Sequence, residues 1–103
     1  MASVESEQAS VILRIEHPVT DFDNWKMSFD ADPLGREASG VLGYRVMRAA
    51  DDGKYVLIDL EFRAAEDATA MLGSLEQLWG RVTGTLITDP KGRIVEVVER
   101  TTY

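Results

Sequence analysis

The alternation of apolar and polar positions divides this chain into six segments. Residues 11–17 place Val11, Leu13 and Ile15 at odd positions and Arg14 and Glu16 between them, the period of a half-buried strand. Pro18 ends it. Phe22, Trp25 and Phe29 recur at i, i+3 and i+7, one face of a helix. Thr20 or Asp21 supplies its cap, and Thr20 with Asp23 approximates a capping box. Residues 43–49 and 55–62 are strand-like runs flanking Asp52-Gly53. This predicts a two-residue type I′ hairpin, whose central positions both need φ > 0. That turn pairs Arg48 with Leu57, Val46 with Asp59 and Tyr44 with Glu61. Met47, Ala49, Val56, Ile58, Leu60 and Phe62 then share one face. Tyr44, Arg48, Tyr55, Leu57, Asp59 and Glu61 share the other. Ala68, Met71, Leu72, Leu75, Trp79 and Val82 form a second helical stripe, with Glu66 and Asp67 in its first turn and Arg81 near its end. Gly80 or Gly84 ends that helix. Residues 85–88 are expected as a short strand, Asp89-Pro90-Lys91-Gly92 as a turn and residues 94–99 as the last strand.

The order β-α-β-β-α-β predicts an α+β, ferredoxin-like domain, an antiparallel sheet carrying both helices on one face. The other face is left uncovered. It is expected to carry Tyr44, Val46, Arg48, Tyr55, Leu57, Asp59 and Glu61 from the hairpin and Ile12, Arg14 and Glu16 from the first strand. One alternating set from the last strand joins them, either residues 94, 96 and 98 or residues 95, 97 and 99. The mixture is too apolar for a solvated face and too charged for a simple hydrophobic interface. It suits a semi-polar cavity closed by a second copy, with Arg48 and Asp59 paired on the cross-strand diagonal.

Composition narrows the chemistry. The 103 residues provide one domain, expected over residues 11–103 behind a mobile tail at residues 1–10. The absence of cysteine excludes disulfides, thiolate metal sites and thiol nucleophiles. With a single histidine, no metal site is expected. A net charge of −7 argues against nucleic acid and anionic membrane as partners. No signal peptide or apolar span is legible, so a cytoplasmic location is expected. Glycine-rich phosphate loops and nucleophile elbows are missing as well, and no cofactor is expected.

The remaining candidates are few. His17, the only histidine, is either a base at a cavity mouth or a packed strand-end residue; its parity places it with Val11, Leu13 and Ile15. Tyr44, Tyr55 and Arg48 either bind an aromatic anion or pack across strands. Asp59, between Ile58 and Leu60, is a base if buried alone and a structural ion if paired. Glu61 and Arg14 complete the polar lining of the open face. Trp25 and Trp79 lie on helical stripes and serve as core or as pocket walls.

The run His17-Pro18-Val19-Thr20-Asp21-Phe22-Asp23-Asn24-Trp25-Lys26, followed by Phe29-Asp30, resembles the first strand-to-helix junction of the dimeric α/β-barrel superfamily. Tyr44-Arg45-Val46-Met47-Arg48, the Asp51-Asp52-Gly53 turn and Leu60-Glu61-Phe62 extend the likeness to roughly residues 11–99. Antibiotic-biosynthesis-monooxygenase-like proteins and small polyketide cyclases are the relatives it resembles. The resemblance implies a homodimer of facing sheets and a small aromatic or polyketide-like ligand. It also implies cofactor-independent monooxygenation or cyclisation, with His17 or Asp59 as base and Tyr44 and Arg48 stabilising the anion. Haem-degrading relatives carry a histidine on the second helix, and none occurs between Ala64 and Val82. The alternative is a non-catalytic ligand-binding or structural homodimer.

Overall fold

The computed structural model describes residues 10–103. Of the expected tail, residues 1–9 lie outside the described residues. Ser10 is held at both ends: its hydroxyl donates to Glu61 at 2.6 Å and its carbonyl accepts from Val97 N–H at 3.1 Å.

Six elements follow in the expected order: β1 (Val11–Pro18), α1 (Phe22–Asp30), β2 (Val41–Ala49), β3 (Asp52–Phe62), α2 (Ala65–Val82) and β4 (Lys91–Glu96). The sheet is antiparallel throughout, in the order β2-β3-β1-β4. The fold is therefore α+β and ferredoxin-like. Asp21 caps α1 by accepting from Asn24 N–H at 2.9 Å. The anticipated capping box is not formed, because Thr20 donates to the Thr85 carbonyl instead, at 2.9 Å. α2 stops at Val82, and Gly84 takes up φ +90 just beyond it. The short strand expected at residues 85–88 reduces to isolated bridges from Ile87 to Val19 and Thr83. β4 starts three residues earlier than expected, inside the predicted turn, and ends at Glu96. No described helix is long and apolar enough to cross a membrane.

The hairpin departs from expectation, by two residues at its turn and by one in its ladder. Its turn is Ala50-Asp51, not Asp52-Gly53, and Gly53 does not have positive φ. Asp52 belongs to β3 and accepts from Lys54 N–H at 3.0 Å. An irregularity between Arg48 and Ala49 then shifts the ladder, giving Arg48↔Val56, Val46↔Ile58 and Tyr44↔Leu60. Because side chains alternate across a strand, this shift moves the whole β2 set to the opposite face. Tyr44, Val46 and Arg48 lie on the helix side. Arg45 and Met47 lie on the open side.

The core fills the space between sheet and helices. Leu13, Ile15, Val56, Ile58, Leu60 and Phe62 from the sheet meet Trp25, Ala68, Met71 and Trp79 from the helices, all of them buried. Gly92 lets α2 approach β4, since a Cβ there would stand 2.6 Å from Leu72 Cδ1. The anticipated split of β3 is observed. Val56, Ile58, Leu60 and Phe62 point inward, and Leu57, Asp59 and Glu61 point outward.

Candidate functional site

A cavity of about 130 Å³ lies on the helix side of the sheet, within one copy of the chain. Ile15 and His17 of β1 and Ile58 and Leu60 of β3 form its floor. Trp25, Ser28 and Phe29 of α1 form one wall, extended by Asp32, Pro33, Leu34 and Arg36. Met71, Leu75, Leu78, Trp79 and Val82 of α2 form the other, and Leu86 and Ile87 close the end. The elements explain the composition. The apolar stripe of each helix faces the sheet, and the two stripes are held apart by large aromatic side chains. Phe22, Trp25 and Phe29 stack in series, with centroids 5.8 and 5.3 Å apart.

His17 is the buried polar group in this apolar lining, at 2% exposure. Its ring meets Trp25 edge-on at 5.8 Å. Nδ1 lies 3.1 Å from the Pro18 carbonyl. A carbonyl oxygen only accepts, so the proton sits on Nδ1 and Nε2 keeps its lone pair. Burial holds the imidazole pKa below its ordinary value, partly offset by the backbone hydrogen bond. His17 is thus a neutral base at pH 7.

The cavity also contains Arg36, which sequence reasoning missed. Its guanidinium stacks 3.9 Å from the Phe29 ring centroid and 4.8 Å from that of Tyr44. Nη1 donates to the Phe29 carbonyl at 2.9 Å, and Nε lies 3.6 Å from Asp32 Oδ1. Residues 31–40 show no periodicity, so nothing marked this loop as a wall of the site. The one available signal is the i, i+4 spacing of Asp32 and Arg36.

The other candidates lie elsewhere. Tyr44 is on the helix side but packs edge-on against Phe29 at 5.2 Å and does not line the cavity. Arg48, expected beside Asp59, instead covers the Phe22 ring at 4.4 Å. Both placements correct the expected open-face positions, and the β2 shift is the cause. Trp25 and Trp79 do meet at the cavity.

Arg14, Tyr55, Asp59 and Glu61 lie on the open face, as expected. Asp59 is only 7% exposed at its side chain and is clamped by two arginines, neither of them Arg48. Arg14 donates from Nε at 2.8 Å and from Nη2 at 2.7 Å, a bidentate pair, and Arg45 adds two contacts to Oδ2 at 3.2 Å. The Arg14 hydrogen bond, ahead of the opposing burial effect, holds the Asp59 carboxyl below its usual range. Asp59 is therefore an ionised structural partner and a poor base. Tyr55 donates to Glu16 at 2.6 Å, which raises its phenol pKa. Glu61 accepts from Ser10 and lies 4.0 Å from Arg100. With Ile12, Val95 and Val97, the Arg14, Asp59 and Glu61 side chains line an open groove. The last-strand choice resolves to residues 95 and 97, because Ile12 pairs with Val95. Among the described residues no group of three or more metal-ligating side chains converges.

No family model and no curated protein matches the chain. Solved structures do match. A dimeric ferredoxin-like protein from an uncultured marine organism is 15% identical, with a TM-score of 0.63, over 90% of this chain and 99% of that one. SnoaB from Streptomyces nogalater, a cofactor-independent oxygenase crystallised as a mutant, is 10% identical, with a TM-score of 0.66, over 90% and 96%. A Bordetella bronchiseptica protein provisionally named an antibiotic biosynthesis monooxygenase is 16% identical, with a TM-score of 0.65, over 89% and 100%. At such identities the likeness establishes architecture: the chain has the fold shared by dimeric ferredoxin-like and antibiotic-biosynthesis-monooxygenase-like proteins.

Proposed function

We propose that this protein binds a small aromatic molecule in the cavity between its helices and sheet and oxidises it with dioxygen, without a cofactor. The observation that carries this reading is His17, a buried neutral imidazole set beside two tryptophans in a mostly apolar cavity. Nε2 takes a proton from the substrate, and the electron pair left behind spreads into the ring. Dioxygen is the oxidant. One of its atoms ends on a ring carbon and the other leaves as water with the two hydrogens that the substrate loses. The largely apolar walls strengthen the attraction between imidazolium and substrate anion. In this scheme Asp59, Tyr44 and Arg48 do not act on substrate. The oxygenase class is preferred to the cyclase class because the solved structures of this fold include a cofactor-independent oxygenase, SnoaB.

A second copy covering the open face is part of the proposal. Ile12, Leu57, Val95 and Val97 are half-buried there, interleaved with the Arg14–Asp59–Arg45 cluster. A cytoplasmic location also belongs to the proposal, since a cysteine-free chain requires no oxidising compartment.

Oxygen uptake with a panel of single-ring phenols and hydroquinones tests the chemistry. Wild type is expected to consume oxygen above the uncatalysed rate, and His17→Gln to lose about 100-fold or more of that activity. Equal turnover by the variant removes His17 from the mechanism. Binding without uptake favours a non-catalytic ligand-binding dimer. Light scattering checks the dimer at micromolar concentration.

A further inference from the structure

We infer that the cavity is built for an uncharged, single-ring molecule bearing a hydroxyl donor, a ligand of the phenol type. The inference rests on the reading of this cavity as the binding site, and it goes further by specifying the size, charge and polarity of what enters.

Size comes first. An engineered apolar cavity of about 150 Å³ in another protein holds benzene. The cavity here, about 130 Å³, is of that order, the room of a single ring. Two fused rings exceed it unless α1 or the loop after it moves.

Polarity follows from the hydrogen-bond inventory. The Nε2 of His17 has no partner among the described residues, although the side chain is 2% exposed. A buried acceptor left unmatched is unfavourable, and only a donor repairs it. Trp25 and Trp79, 6% and 9% exposed, likewise show no acceptor for their indole N–H among the described residues. A hydroxyl both donates and accepts, so it suits this set better than a carbonyl, which cannot satisfy Nε2.

Charge is excluded by commitments already made. The cavity's one acid–base pair, Asp32 and Arg36, is occupied internally. Asp32 accepts from the Arg36 backbone N–H at 2.9 Å, and the Arg36 guanidinium donates to the Phe29 carbonyl and stacks on the Phe29 ring. A carboxylate would exchange its hydration for two neutral indole donors, with no free counter-ion and with Nε2 still lacking a donor, and an ammonium would find no carboxylate free of Arg36.

The test uses fluorescence, because both tryptophans of the chain line the cavity. Phenol, toluene, benzoate and 2-naphthol are titrated anaerobically into the full-length protein. Phenol is expected to bind about ten-fold tighter than toluene, as one hydrogen bond to a buried acceptor provides. Benzoate and 2-naphthol are expected to bind at least ten-fold more weakly than phenol. His17→Phe is expected to erase the preference for phenol over toluene. If that variant fails to fold by circular dichroism, His17→Gln and the wild-type series at two pH values carry the test. Equal affinity for phenol and toluene in wild type overturns the donor assignment. Tight 2-naphthol binding overturns the size assignment. Phenol preference without oxygen uptake upholds this inference while refuting the oxygenase reading. Uptake without phenol preference does the reverse, and failure of every ligand to bind refutes both.

Discussion

The two faces of the sheet use alternate residues of the same four strands, yet they solve opposite physical problems. The helix face buries Leu13, Ile15, Ile58 and Leu60 under two helices and isolates one neutral imidazole among aromatic rings. The open face sets Arg14, Arg45, Asp59 and Glu61 among aliphatic side chains. Ionisable groups behave accordingly. Burial without a charged partner keeps His17 uncharged, while two guanidinium groups keep the similarly buried Asp59 charged. Burial alone therefore says little about a group's protonation; the partner decides it. In the proposed function, chemistry that needs a base belongs to the first face, and recognition of another surface to the second.

The largest expected effect separates the faces by stability. Leu13→Ala removes a fully buried side chain and is expected to cost about 2–5 kcal/mol in urea unfolding. The neighbouring Ile12→Ala, on the open face, is expected to cost under about 1.5 kcal/mol in the monomer while weakening self-association. Similar losses at both positions would dissolve the distinction.

A smaller effect separates them by pH. The folded pKa of His17 lies below the unfolded value of about 6.5, so the unfolded chain binds the proton first. Stability is then expected to fall as pH drops below about 6.5 and to level off beneath the folded pKa. The slope cannot exceed about 1.4 kcal/mol per pH unit for one proton. Asp59 contributes stability above the ordinary carboxylate value of about 4, and loses it as pH falls through its depressed folded pKa. Thermal melts across pH are expected to lose the upper decline in His17→Gln. Asp59→Asn is expected to lose only the lower one. A variant that alters the wrong window would reassign the group.

The smallest effect tests the hairpin that decides which β2 side chains face the helices. Gly53 has ordinary φ, and an added Cβ there meets nothing within 4 Å. Gly53→Ala is expected to stabilise by about 0.4–1 kcal/mol, by restricting the unfolded chain. The type I′ turn suggested by Asp52-Gly53 would instead make that change destabilising by about 1 kcal/mol. Chemical denaturation distinguishes the two signs.

Much of this architecture was legible. Strand and helix periods are local properties of the chain, so the six elements, their order and the inward set of β3 follow from side-chain spacing. His17 could be placed with Leu13 and Ile15 by counting alone. The partner of Asp59 could not. A single irregularity between Arg48 and Ala49 exchanged Arg48 for Arg45, and pairing across β1 brought in Arg14. Arg36 was invisible because it reaches the cavity from an aperiodic loop.

The sequence by itself determined the α+β class, the lone histidine, the absence of thiol chemistry and the existence of a helix-covered and an uncovered face. The reason is that composition and periodicity are carried by neighbouring residues. Only the tertiary structure decided that the enclosed space lies beneath the helices and that His17 lines it as a neutral acceptor while Asp59 lies clamped on the far side. Those outcomes depend on strand register, on loop path and on the gap left when two aromatic helix stripes meet a sheet. Contacts between residues distant in the chain set each of them.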